Sequence, residues 1–131
     1  MKKYFGLMAL SLIWMNNALA ANEWSTENCN DTTGGQVVTL GDKTFCKSKE
    51  KMNWWSASSW CRAMGGRIPS IQELCPNQSL TNDATCPISY ASDTWSSTPY
   101  SNDTVWHAWY GNRMVGRELK QGAYAYCLRS N

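Results

Sequence analysis

The sequence has a single histidine, His107, and no Cys-x-x-Cys pair. Structural zinc sites need several Cys or His ligands, commonly in such pairs, so zinc is poorly served. The chain also lacks a glycine-rich phosphate loop, a pair of catalytic carboxylates and a Ser-His-Asp set. These absences argue against an enzyme. His107 lies in an aromatic run and reads as structural, and Glu73 reads as a helix cap rather than a general acid. No catalytic residue, metal site or cofactor is expected.

Positive charge is not in surplus where it matters. The 12 Lys and Arg face 10 Asp and Glu, and two of the lysines, Lys2 and Lys3, sit in the first stretch of the chain. Without them the two signs balance. Nucleic-acid binders usually carry a basic excess, so a nucleic-acid partner is discounted. After residue 20 no run is apolar enough to span a bilayer, so no membrane span is expected in the mature chain.

Residues 1–20 have the form of a secretory signal peptide. A short basic start is followed by a mostly apolar stretch and then Ala18-Leu19-Ala20, a small-x-small cleavage pattern. The start and the junction resemble bacterial export signals. Residues 21–131 are then one domain's worth of soluble chain, secreted, periplasmic or on the cell surface. They contain no internal repeat and no linker.

All six cysteines, at 29, 46, 61, 75, 86 and 127, fall in that part. An even count in a small exported chain implies three disulfides, with the pairing open on arithmetic alone. A hairpin over 36–40 and 43–47, turning at Gly41-Asp42, would bring Cys46 near the arm that holds Cys29. Cys75 and Cys86 flank the first half of a polar loop over 76–93 and are placed to tie it.

Asn53 is a good N-cap. Trp54, Ala57, Cys61 and Met64 recur at helical spacing, which predicts a helix with Cys61 on its buried stripe. Trp55 and Ser59 lie off that stripe. Gly65-Gly66 ends the helix. Ser70 and Glu73 form a capping-box pattern for a short second helix that Pro76 stops. From residue 94 the pattern is β. Strands are expected over 94–98, 104–110 and 113–115, with a hairpin turn at Gly111-Asn112. In a last strand over 124–129, Tyr124, Tyr126 and Leu128 face one way and Ala125 and Cys127 the other. The class is α+β.

Trp54, Ala57, Cys61, Gly65-Gly66, Ile68, Ser70 and Glu73, in this order, resemble the first-helix signature of the C-type lectin-like fold. TWSSTPYSNDTVWHAWYGNRMVG followed by AYAYCLR is similar to the bacterial branch of that family, with its W-S-S-T segment and final Cys-x-Arg strand. The resemblance covers roughly residues 36 to 129. It implies a disulfide between Cys61 and Cys127 and an N-terminal one between Cys29 and Cys46, leaving Cys75 with Cys86. That last pair departs from the family, whose second bridge joins two late cysteines.

The resemblance also implies a binding module rather than an enzyme. Calcium-dependent members carry a Glu-Pro-Asn or Gln-Pro-Asp triplet and a Trp-Asn-Asp, and this chain has neither. Asp83, Asp93, Asn102 and Asp103 supply oxygens, but they read better as solvated loop residues than as the six to eight ligands calcium wants. The remaining signal is aromatic. Trp54 and Trp60 are expected in the core. Trp95, Trp106, Trp109 and Tyr110, with Asn102 and Asp103 beside them, are the candidate ligand-binding residues. Alternation puts Trp106 and Tyr110 on one face and His107 and Trp109 on the other. Exposed rings with amides and carboxylates nearby suit a glycan or a protein on a surface. The expected function is calcium-independent recognition, as an adhesin or accessory subunit. The alternative is a structural subunit of an exported assembly such as a pilus, with no small ligand.

Overall fold

A computed structural model describes residues 23–88, 90, 93–109 and 113–130. The segment expected to be a signal peptide, Tyr110 and the expected turn at Gly111-Asn112 lie outside these residues. The described elements are eight strands, two short α-helices and a 3-10 turn at Thr26–Asn28. They make an α+β structure with two four-stranded antiparallel sheets.

The first sheet has the order β1-β2-β8-β3, from Gly35–Leu40, Lys43–Ser48, Tyr126–Arg129 and Gly66–Arg67. β1 and β2 pair from Gly35↔Ser48 to Leu40↔Lys43, the hairpin that Gly41-Asp42 predicts. Gly41 has φ +61°, a conformation that glycine adopts without a Cβ clash. The second sheet has the order β4-β7-β6-β5, from Ala84–Thr85, Arg113–Glu118, Thr104–Trp109 and Thr94–Ser101. β4 is a departure from the sequence reading. It lies inside the 76–93 segment expected to be loop throughout, and pairs with β7 through Ala84↔Met114 and Thr85↔Arg113.

Helix α1, Trp54–Ala63, starts where Asn53 caps it, the Asn53 side chain accepting from the Ser56 amide at 2.8 Å. Ala57 and Cys61 are fully buried, and Trp55 and Ser59 are exposed, as the helical spacing predicts. Gly65, at φ +80°, follows its C-cap. Helix α2, Ile71–Leu74, has the full capping box. Ser70 Oγ accepts from the Glu73 amide at 3.1 Å, and a Glu73 carboxylate oxygen accepts from the Ser70 amide at 2.9 Å. The same carboxylate receives both arms of Arg67 at 2.6 and 2.8 Å. The Arg67 guanidinium holds the Glu73 carboxyl down at about 2.

The last strand separates two cores. Cys127 and Ala125 point into one, with Ala57, Cys61, Met64, Ile68, Trp95 and Val105. Tyr126 and Leu128 point into the other, with Phe45, Ile71, Leu74, Trp106 and Met114. Tyr126 meets Phe45 and Tyr90 edge-on, at 5.7 and 5.3 Å between ring centroids. The segment before β8 ties the sheets together. Ala123 bridges Met52, Tyr124 bridges Thr94, and the Trp95 indole donates to Met52 O at 2.7 Å.

Three disulfides, Cys29–Cys46, Cys61–Cys127 and Cys75–Cys86, join all six cysteines. They are the pairs implied by the resemblance. Cys46 and Cys127 sit opposite each other in the β2–β8 ladder, yet each bonds elsewhere, one to the N-terminal arm and the other to α1. Gly35 makes room for this. A Cβ there would come within 2.8 and 3.0 Å of the Cys46 and Cys29 sulfurs. The long 76–93 segment is held by the third bridge, by β4, and by Tyr90, whose hydroxyl donates to Leu74 O at 2.8 Å.

Candidate functional site

Three chain segments meet at one end of the second sheet. The turn between β5 and β6 brings Ser101 to Thr104, the exit of β7 brings Glu118, Leu119 and Lys120, and the first turn of α1 brings Trp55. Their backbones are laced through one residue. Leu119 N donates to Asp103 O at 3.0 Å, and Leu119 O accepts from Trp54 N at 2.9 Å. The second bond also satisfies one of the amides that a helix start leaves without an intrahelical partner.

Between these segments lies an open cleft of about 530 Å³. Trp55 is its aromatic wall and is 54% exposed, the highest exposure of any large apolar side chain described. Asn102 and Asp103 stand on the hairpin tip and are exposed. Glu118 and Lys120 pair across the opposite rim at 3.6 Å. Gln121 braces that rim, its amide donating to Glu118 O at 3.1 Å. The cleft therefore offers one apolar face with amide, carboxylate and ammonium groups around it. Such a composition orients a polar ring or a polar chain by hydrogen bonds while covering its apolar surface.

The residues expected to bind are not brought together as a group. Asn102 and Asp103 line the cleft. Trp95 does not. It is fully buried, packed in the first core and hydrogen-bonded to Met52 O. Trp106 is 6% exposed and stands edge-on to Tyr100, with ring centroids 4.8 Å apart. Both are corrections to the reading of Trp95 and Trp106 as a presented surface. The reason is that neither β5 along Thr94 to Ser96 nor β6 along Val105 to Ala108 has an open face, because both faces of the sheet are covered there. Trp109 is 39% exposed but sits at the far end of β6, away from the cleft. Tyr110 lies outside the described residues. Trp54 and Trp60 are half-buried against the first core, their indoles donating to Ser96 O and Thr33 O at 2.9 and 3.0 Å.

Helical spacing marked Trp55 as exposed but could not give it neighbours. Glu118 and Lys120 carry no local signal at all, since β7 and its exit meet the hairpin tip only through the ladder and the Leu119–Asp103 backbone bond. Tyr100 carries no such signal either. It lies over Gly116, where a Cβ would come within 2.9 to 3.1 Å of three of its ring carbons, and it is 43% exposed.

The candidate calcium oxygens are scattered. Asp83 pairs with Arg113 at 3.3 Å, and Asp93 with Arg117 at 3.3 Å. Only Asn102 and Asp103 are neighbours. Among the described residues no three His, Cys, Asp or Glu side chains form a group able to hold a metal ion.

No family model matches the chain, and neither does any curated protein or solved structure. Among the described residues no helix is long and apolar enough to cross a membrane.

Proposed function

We propose that this chain is an exported, lectin-like binding module that recognises a glycan on a surface through the cleft at the β5–β6 tip, without calcium. The supporting observation is the position of Trp55. A large ring left more than half exposed, at the edge of a cleft and beside Asn102 and Asp103, has no packing role to explain it. Burying it against a ligand recovers apolar area at about 25 cal/mol per Å². The polar rim then sets orientation. Three disulfides suit an oxidising compartment outside the cytoplasm. The resemblance to the C-type lectin-like family points to the same class of function, and it remains part of the proposal.

A glycan array followed by calorimetry, with calcium and with chelator, tests the reading. The expected result is binding that the chelator leaves unchanged and Trp55→Ala abolishes. Binding that requires calcium would overturn the calcium-independent part. An array without a single hit, together with co-purification with other exported proteins, would favour the structural-subunit alternative.

A further inference from the structure

A second polar constellation lies behind the cleft, inside the sheet. His107, at the centre of β6, is 1% exposed. Its Nδ1 is 2.8 Å from Val115 O on β7. A carbonyl oxygen can only accept, so Nδ1 carries the proton and Nε2 is left as a bare lone pair. That Nε2 is buried without a hydrogen-bond partner, 3.7 Å from Oδ1 of Asp93. In this state a lone pair faces a carboxylate, an arrangement that gains nothing until a proton lies between them.

The other carboxylate oxygen is already committed. Asp93 Oδ2 is 3.3 Å from Arg117 Nη2. Arg117 in turn holds the chain beyond β7, donating from Nε at 3.1 Å and from Nη2 at 2.7 Å to Gly122 O. The turn that Gly122 closes contains Leu119 and Lys120, the wall of the cleft. Asp93 and Arg117 are the charged groups acting on the ring, one from the segment entering β5 and the other from β7. On β5 and β7 the residues paired with His107 in the ladder are Trp95 and Val115, neither of which titrates in this range.

We propose that His107, Asp93 and Arg117 form a proton-operated latch on the 118–122 turn. A proton taken up at Nε2 turns the His107–Asp93 contact into an ion pair and sets a second positive charge beside the Arg117 guanidinium, which repels it across the shared carboxylate. His107 is locked in the sheet, whereas the Arg117 side chain is 23% exposed and can move toward water. Arg117 therefore yields, Gly122 O loses its donors, and the cleft wall loosens. Burial of the ring pushes its pKa below the ordinary value of about 6.5, so the latch opens in acid and stays closed at neutral pH.

The test is an NMR titration of the disulfide-intact protein from neutral to mildly acidic pH. It follows the His107 ring nitrogens, the Arg117 side chain and the backbone amides of Leu119 and Gln121. All are expected to shift with one midpoint, below about 6.5. Arg117→Gln removes the repelling cation. In that variant the His107 midpoint should rise and the turn amides should no longer follow it. His107→Asn keeps a donor toward Val115 O and removes Nε2, so its turn should be insensitive to the same pH change. The latch is overturned if the ring titrates while the turn stays still, or if the ring takes no proton before the protein unfolds. Any effect on a ligand rests on the binding reading above. An acid-weakened glycan affinity in the parent but not in His107→Asn would join the two. A protein that binds no glycan but shows the coupled titration would keep the latch and sink the reading.

Discussion

The two sheets are held together in different ways. The first is closed by covalent bonds. Cys29–Cys46 and Cys61–Cys127 both reach it, and the second of these spans 66 residues to tie α1 to β8. The second sheet is touched by no disulfide directly. It is held by Trp95 and Trp106 in the cores, by the His107–Asp93–Arg117 cluster, and by a segment fastened through the local Cys75–Cys86 bridge. The cleft forms at the end of this second sheet. A stapled frame thus carries a sheet whose rim is set by hydrogen bonds and charges rather than by a disulfide.

The contrast can be broken most severely at its longest staple. Replacing Cys61 and Cys127 together by alanine should cost about 4 kcal/mol on the chain-entropy model, read as a lower urea midpoint. Replacing Cys75 and Cys86 should cost about 3 kcal/mol, because the closed loop is only 11 residues in separation. Equal losses would mean that loop length is not what distinguishes the two halves.

A smaller effect is expected at the Glu73–Arg67 pair, which fixes α2 beside the frame. Glu73 has a folded pKa of about 2, below the unfolded carboxylate value near 4.3. Its contribution is therefore complete above about pH 4.3 and is lost as pH falls through about 2. Glu73→Gln should cost about 1–2 kcal/mol at neutral pH, after allowing for partial exposure, and should flatten the acid limb of the stability profile. Urea melts between neutral pH and about pH 2 check both points.

The smallest change in stability is expected at the cleft itself. Trp55→Ala should change the unfolding free energy, measured by urea melts, by no more than about 0.5 kcal/mol while removing glycan binding. A large loss of stability would place Trp55 with Trp95 as a packing residue and leave the cleft without its aromatic wall.

Much of the frame was legible because its signals are local. Asn53 and Ser70 mark helix starts through bonds within four residues, and Gly41 and Gly65 mark turns through their own φ. The period-two pattern of Tyr124 to Leu128 likewise sorted side chains into two cores correctly. The site was less legible. Trp95 and Trp106 looked available because a strand at the surface alternates between covered and open faces. Here α1 and the first core cover one face, and α2 with Tyr90 and Tyr126 cover the other. Strand β4 has no sequence signature, because two residues of pairing leave no periodic trace.

The sequence by itself determined the class of the molecule: α+β, cysteine-bridged, with capped helices and an exposed Trp55. Capping, turn chemistry and side-chain periodicity act over a few residues, and a sequence records them. Only the tertiary structure decided which tryptophans stay in water, that Leu119 joins the hairpin tip to the helix start, and that His107 faces Asp93 and Arg117. Those outcomes depend on strands and loops distant in sequence meeting across two sheets, and no short-range pattern encodes such a meeting.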